Sequence, residues 1–150
     1  MAYVLVTDNV GNQTLQPLGV GLNFQNTELF QSVINVNEQA TNNLKNLLLT
    51  KIGERVGQPT FGCDLLYILF EPNINDIKDD IKTFITTPVA YWLPYINIID
   101  IVINTAQDNP NLQHDVEIKI VFSIDETNIQ ILNIATDSTG TITTTTENGI

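Results

Sequence analysis

The stretch "LLLTKIGERVGQPTFGCDLLYILFEPN", residues 47–73, decides the fold prediction because it encloses a run of polar turns between two apolar segments. It holds the only arginine of the chain, Arg55, and the only cysteine, Cys63. Turn-forming glycines and a proline recur through residues 53–62, which predicts an ordered, irregular loop rather than a helix or strand. The apolar run "LLYILF" that follows is predicted to form a short helix, capped by Asp64 and stopped before Pro72.

On the N-terminal side of this stretch, the sequence predicts one amphipathic helix from about Asn37, ending between Thr50 and Gly53. Its apolar residues recur at helical spacing and form a single stripe: Ala40, Leu44, Leu47 and Leu48. Residues 1–30 are expected to form an extended N-terminal arm or a weak hairpin, because a short β-rich run is followed by turn residues.

On the C-terminal side, a second helix is predicted from Asn75 through "DIKDDIKTFITTPVAYW". Aspartates crowd its first turn, where they complement the helix dipole. Its apolar stripe is expected to contain Ile77, Ile81, Phe84 and Ile85. Pro88 lacks a backbone N–H, so it should kink this helix or end it.

After Pro94 the apolar period changes to two, which predicts strands. Residues 96–104 are expected to form a strand buried on both faces for most of its length, and residues 114–124 a half-buried strand. A third apolar segment covers 128–136, and the Thr-rich residues 137–150 are expected to form a solvated tail. The prediction is a single α+β domain over 31–136, with helices packed on one face of a small antiparallel sheet.

Composition limits the function. The chain of 150 residues is long enough to bury a core without a metal or disulfide. Its net charge of −11 disfavours nucleic acid and anionic membranes as partners. The apolar runs are shorter than the ~20 residues of a membrane helix, and the N-terminus lacks signal-peptide features, so we expect a soluble protein made inside the cell. Few residues are charged and many are neutral and polar, which suits a subunit of a larger assembly as well as it suits a biased source genome.

The carboxylates of the stretch allow two interpretations. Glu54 with either Asp64 or Glu71 has the residue types of a glycoside hydrolase, whose carboxyl groups flank a sugar ~5–9.5 Å apart. Alternatively, Glu54 and Glu71 pair with Arg55 or accept loop N–H groups, which would order the loop. We favour the second interpretation and expect no catalysis, because no aromatic sugar platform accompanies the acids.

Other catalytic and ligand-binding chemistries are expected to be absent. Cys63 with the single histidine, His114, has the residue types of a nucleophile pair, but the neighbouring Asp64 should raise the thiol pKa, which favours a buried, inert cysteine. One histidine and one cysteine cannot build a structural zinc site, and there is no phosphate-binding glycine motif, so no metal, cofactor or small-molecule substrate is predicted. Tyr91, Trp92 and Tyr95 form either a partner-binding patch or part of the core.

The order of these features resembles the sheath-initiator family of contractile tails, which includes the small baseplate wedge protein of T-even-like phages and a short baseplate component of type VI secretion. The resemblance covers about residues 38–125 and rests on a helix ending in Thr, a Gly-Glu-Arg loop with Pro and Phe-Gly, and a Leu-Phe-Glu-Pro segment. In this sequence those places are taken by Thr50, Gly53, Glu54, Arg55, Pro59, Phe61, Gly62, Leu69, Phe70, Glu71 and Pro72. The chain departs from the family where Leu93-Pro94-Tyr95 replaces a Glu-Pro-Arg motif, so Leu93 and Tyr95 are candidates for an apolar contact with a partner.

The resemblance implies a structural baseplate wedge subunit that offers strands to the first ring of the tail sheath. It implies other wedge proteins and the sheath protein as partners, and a location in the virion after synthesis in the host bacterial cytoplasm. It also implies a structural role for the loop motif, in which Arg55 links carboxylates and carbonyls while Phe61 and Phe70 enter the core. The strand edge offered to the sheath is predicted at 128–134, with the side chains of Gln130 and Asn133 facing solvent.

Overall fold

The computed structural model describes residues 18–21, 31–33, 35–65, 77–104, 116–124, 128–136 and 142–148. The chain divides into two compact units, Met1–Gln39 and Ala40–Ile150. In the first unit, strand β1 (Gly19–Gly21) pairs antiparallel with strand β2 (Gln31–Val33). The predicted boundary at residue 30 stays a prediction, and most of the predicted N-terminal arm lies outside the described residues.

Helix α1 (Val36–Leu49) forms as its sequence pattern predicts. The Asn35 side chain accepts a hydrogen bond from the Asn37 N–H at 3.0 Å, so Asn35 caps the helix N-terminus. All four residues of the predicted stripe are buried, and the helix ends just before Thr50. This prediction is confirmed.

Helix α2 (Ile77–Trp92) has Asp79 and Asp80 in its first turn. Its buried stripe is Ile81, Ile85 and Val89, at a spacing of four residues. Phe84, predicted for this stripe, is exposed, because the stripe follows the i, i+4 positions and leaves the i+3 position outside it. The helix also continues through Pro88 to Trp92, so the predicted alternative of an end at Pro88 is wrong.

A four-stranded antiparallel sheet follows, with strands in sequence order. Its strands are β3 (Asn97–Asn104), β4 (Val116–Ser123), β5 (Ile129–Thr136) and β6 (Ile142–Asn148). In β4 the alternation of Ile118, Ile120 and Phe122 with half-buried residues confirms the prediction of a half-buried strand.

Two strand predictions are wrong. β3 is not buried on both faces, because the core covers only the face that carries Ile101 and Ile103, which leaves Ile99 and Val102 exposed. Residues 137–150 are not wholly a solvated tail, because Ile142–Asn148 pairs with β5 along its whole length. The physical reason is the strand propensity of β-branched threonine, which suits an edge strand although it adds little to a core.

The core of the second unit lies between the helices and one face of the sheet. Helix α1 contributes Leu44, Leu47 and Leu48, and helix α2 contributes Ile81 and Ile85. The sheet contributes its inward residues to the same cluster: Ile101, Ile103, Ile118, Ile120, Phe122, Leu132 and Ile134. The α+β prediction is confirmed.

Candidate functional site

The loop between α1 and Phe61 is exposed but closely hydrogen-bonded to itself. The Gly53 N–H donates to the Pro59 carbonyl at 2.8 Å, which closes the loop across its width. Within it the Gln58 N–H donates to the Arg55 carbonyl at 3.2 Å, and the Phe61 N–H donates to the Gln58 carbonyl at 3.0 Å. Gly53 and Gly57 have φ near 90°, a backbone conformation that glycine adopts at little cost. The predicted irregular but ordered loop is confirmed.

The base of this loop is fixed to the end of α1. The Cys63 N–H donates to the Thr50 carbonyl at 2.9 Å, and the Cys63 thiol donates to the Leu48 carbonyl at 3.3 Å. Burial raises the pKa of the Cys63 thiol to about 11, with a smaller contribution from Asp64, while a hydrogen bond from the Leu65 backbone opposes the shift. The thiol is therefore protonated at neutral pH, as expected for a buried, inert cysteine.

The acids do not assemble a catalytic pair within the described residues. The Glu54 carboxylate accepts a hydrogen bond from the Lys51 N–H at 3.2 Å and lies on the exposed loop. Asp64 is half-buried at the loop base, whereas Glu71, Phe70, Pro72 and His114 lie outside the described residues. Among the residues described, no cluster of three or more His, Cys, Asp or Glu side chains is placed to hold a metal ion.

Arg55 does not occupy the buried position that its predicted structural role requires. Its side chain is exposed, and its guanidinium carbon lies 4.4 Å from the centroid of the Phe61 ring. Phe61 itself is buried, as predicted. The contact is a cation–π interaction, which needs an aromatic face rather than a buried carboxylate. The loop geometry therefore comes from backbone hydrogen bonds and glycines, not from a buried ion pair of Arg55.

The aromatic residues at the end of α2 continue from this contact. The Phe61 and Trp92 rings meet edge to face with centroids 5.3 Å apart, and the Trp92 and Tyr91 rings do so at 5.0 Å. Trp92 is half-buried against the core, whereas Tyr91 is 75% exposed. A shallow groove lined by Thr86, Thr87, Ala90 and Tyr91 lies beside the last ring.

Leu93 and Tyr95, which replace the charges of the Glu-Pro-Arg motif, have different surroundings. Leu93 is buried in the core and its N–H donates to the Val89 carbonyl at 2.8 Å, so it extends the helix and is not free to contact a partner. Tyr95 is 43% exposed, and its hydroxyl accepts a hydrogen bond from the Asn43 side chain at 2.8 Å. Of the two, Tyr95 stays a candidate for a partner contact.

The predicted strand edge is wrong because β5 lies between β4 and β6. Gln130 is buried and does not face solvent, and Asn133 is half-buried with a side-chain oxygen that is buried without a hydrogen-bond partner. The edge strands of the described four-stranded sheet are β3 and β6. The error follows from assigning 137–150 to a tail, and the run of β-branched residues in "TITTTT" is the signal that predicts a strand there.

The two edges differ in how they are protected from pairing. β3 has a register shift between Ile98 and Asp100 and carries an exposed aspartate at that point. β6 pairs with β5 in continuous register and has Glu147 as its only charged residue. Bulges and charges on an edge hinder further strand pairing, so β6 is the more open edge.

Comparisons with known proteins agree with this fold. The family model described as "Baseplate wedge protein gp25" matches residues 35–129, more than half of the chain. A search of curated proteins found no match. A solved structure from Geobacter sulfurreducens, which bears the provisional name tail lysozyme, is similar with a TM-score of 0.52 and 18% identity. That match covers 77% of this chain and 90% of the other, and at this identity it supports the fold alone.

Neither described helix is long and apolar enough to cross a membrane. The family match covers both helices, the loop motif and the strands β3 and β4. The chain belongs to the baseplate wedge protein gp25 family and is a component of a phage tail baseplate.

Proposed function

We propose that this baseplate subunit initiates the tail sheath by offering the free edge of β6 to a strand of the first sheath ring. Strand addition uses main-chain hydrogen bonds for affinity, and alternate side chains fix the register. The observation that carries the proposal is the position of Ile142–Asn148, a seven-residue strand at the end of the sheet with no described strand on its other side.

The composition of β6 supports this role. Thr143, Thr145 and Thr146 are exposed, and threonine has high strand propensity without a charge to repel a partner strand. The strand contains no proline, and its register with β5 is uninterrupted. An unprotected edge is a liability in a protein that works alone, but it is a template in a subunit that must bind the sheath protein.

The neighbours in this proposal are other wedge proteins of the baseplate and the sheath protein, and the location is the virion after synthesis in the host bacterial cytoplasm. We propose further that the subunit is not an enzyme. Glu54 holds the loop through the Lys51 N–H and lies on an exposed turn, whereas a glycosidase needs two acids facing a sugar in a cleft. Purified protein should not clear peptidoglycan, and clearing that Glu54→Gln abolishes would contradict this.

Single prolines along β6 test the strand proposal. In an antiparallel strand, successive N–H groups point alternately to one neighbour and to the other. Prolines at positions 143 to 146 should therefore alternate. Those that remove an inward N–H should break the pairing with β5, and those that remove an outward N–H should leave the free protein folded.

The outward variants carry the test. They should enter baseplates at the normal level, yet the tails should lack sheath when viewed by electron microscopy. Melting temperature of the free protein sorts the variants into inward and outward sets before the tails are examined. If every folded variant supports full-length sheath, β6 is not the template.

A further inference from the structure

A line of contacting side chains runs from the exposed loop to the end of α2. Arg55 lies over Phe61, Phe61 meets Trp92, and Trp92 meets Tyr91, with each contact between 4.4 and 5.3 Å. The two inner members are buried or half-buried, whereas Arg55 and Tyr91 at the ends are exposed. We call this set the aromatic line.

The loop beside the aromatic line exposes apolar surface at its tip. Val56 is fully exposed and Ile52 is 47% exposed, although both are apolar β-branched residues. The loop has a defined conformation, because the Gly53–Pro59 hydrogen bond and two left-handed glycines shape its backbone. Ordered loops with exposed apolar tips on a rigid scaffold are typical of binding sites.

We propose that the loop tip and the aromatic line form a docking surface for a neighbouring baseplate protein that presents a carboxylate beside an apolar side chain. This surface is separate from the β6 edge and does not rest on strand addition. It rests only on the membership of the chain in a baseplate family.

The positive charge of Arg55 indicates that the partner presents a carboxylate to this surface. Arg55 is one of only six cations in a chain with seventeen acids, and it is exposed beside the fully exposed Val56. A guanidinium above a ring is held in orientation by that contact, and its in-plane N–H groups match a carboxylate with two parallel hydrogen bonds. An acidic group on the partner is therefore the complement of this part of the surface.

The residue types of the surface indicate that the partner also presents an apolar side chain. Arginine, tyrosine and tryptophan are the residues enriched among the energetically dominant positions of protein interfaces. Tyr91 and Trp92 are already oriented by edge-to-face contacts, so binding would immobilise few further rotamers. Val56 at the loop tip is exposed to contact the same apolar side chain of the partner.

Incorporation into the native tail tests the docking surface. We expect Arg55→Glu, Val56→Asp and Tyr91→Ala each to reduce the amount of this subunit in purified baseplates at least about tenfold, a loss of the size expected for a dominant interface position. Lys82→Glu is the matched control, since Lys82 is an exposed cation on α2 that lies about 15 Å along the helix axis from Trp92. It should be incorporated like the wild type.

Folding of the variants is measured separately on the free protein. Val56 is fully exposed, so Val56→Asp should leave the melting temperature unchanged, and it carries the test if Arg55→Glu lowers that temperature. The readout also separates this inference from strand addition. Loop variants should be missing from baseplates, whereas β6 variants should be present in baseplates that lack sheath.

A photo-crosslinking residue at position 56 then identifies what touches the loop in assembled tails. The expected product joins this chain to another baseplate protein close to an aspartate or glutamate. Changing that acid to arginine should restore incorporation of Arg55→Glu. The inference is overturned if the loop variants are incorporated like the wild type, if the crosslink reaches the sheath protein, or if the reversed charge restores nothing.

Discussion

The backbone of Gly62 is tightly constrained. Its φ of 121° lies in a region that residues with a side chain rarely adopt, and an added Cβ would collide with the carbonyl of Thr50. That carbonyl accepts the Cys63 N–H, so moving it would break the hydrogen bond that holds the loop base. Gly62→Ala should therefore lower the free energy of unfolding by about 3 kcal/mol or more, measured by urea denaturation.

Gly57→Ala is the matched control for this change. Gly57 also has a positive φ, 89°, but no atom lies within 4 Å of an added Cβ. Gly57→Ala should therefore lower the free energy of unfolding only by the backbone strain of the left-handed conformation, about 1–2 kcal/mol. Equal costs at the two glycines would show that the collision with Thr50 does not contribute.

Cys63 leads to a prediction of how the free energy of unfolding depends on pH. Because burial raises the pKa of its thiol to about 11, the folded protein keeps the proton where the unfolded chain loses it. Stability from this group is complete below the ordinary thiol pKa of about 8.5 and falls as the pH rises towards 11, by about 1.4 kcal/mol for each unit of the difference. Above pH 9, Cys63→Ala should lose less stability than the wild type in urea denaturation.

The other ionisable groups are the same in the two proteins, so the difference between their stabilities at each pH reports on the thiol. Identical slopes of stability against pH for wild type and Cys63→Ala would show that the thiol is not protected by burial.

Single residues also show what sequence alone can predict at the loop. Its irregular path follows from the glycines and Pro59, which act through local backbone preferences. The position of the Arg55 side chain does not follow from local preferences. Whether an arginine pairs with a carboxylate or lies over a ring depends on which groups the tertiary fold brings near. Phe61 supplied the ring, and none of the described carboxylates came into contact with Arg55.

Among the elements, helix α2 contains an interior proline that lowers the stability of the helix. Pro88 lies inside Ile77–Trp92 and cannot donate a hydrogen bond to the carbonyl of Phe84. Pro88→Ala restores that donor, and we expect it to raise the free energy of unfolding by about 1–3 kcal/mol after the loss of some proline packing. Thr87→Ala, at the exposed neighbouring position, is the control and should gain only a few tenths of a kcal/mol.

Denaturation of the two helix variants under the same conditions gives the comparison. A stability of Pro88→Ala equal to or below that of the wild type would mean that proline packing outweighs the missing hydrogen bond.

Elements with a strong apolar period were predictable, and those that depend on their neighbours were not. α1 and β4 follow directly from the spacing of their leucines and isoleucines. β3 is rich in isoleucine and valine, which predicts burial on both faces, but the core covers only one face of the sheet, so Ile99 and Val102 are exposed. β6 lacks an apolar period, and it forms because β5 offers a partner strand to a threonine-rich segment.

At the scale of the whole molecule, the sheet has one protected edge and one open edge. The bulge and Asp100 protect β3, while β6 ends the sheet with neutral polar residues. The strongly acidic chain has few charges for its length, and its many Asn, Gln and Thr side chains leave a surface that resists association less than a highly charged one would. These properties suit a subunit that is permanently enclosed by neighbours.

The order of helices, loop and sheet was predictable from sequence, and so was the family. The edge that is open to a partner was not, because strand order is a property of the sheet rather than of any one segment. For the same reason Gln130 and Asn133, which were predicted on an edge strand, lie on a central strand.

Electron cryomicroscopy of the extended tail would show whether β6 is the template for the first sheath ring. We expect a strand of a sheath subunit to run beside Ile142–Asn148 at the hydrogen-bonding separation of about 4.8 Å. A β6 edge that faces solvent, or that is covered by a protein other than the sheath subunit, would contradict this expectation.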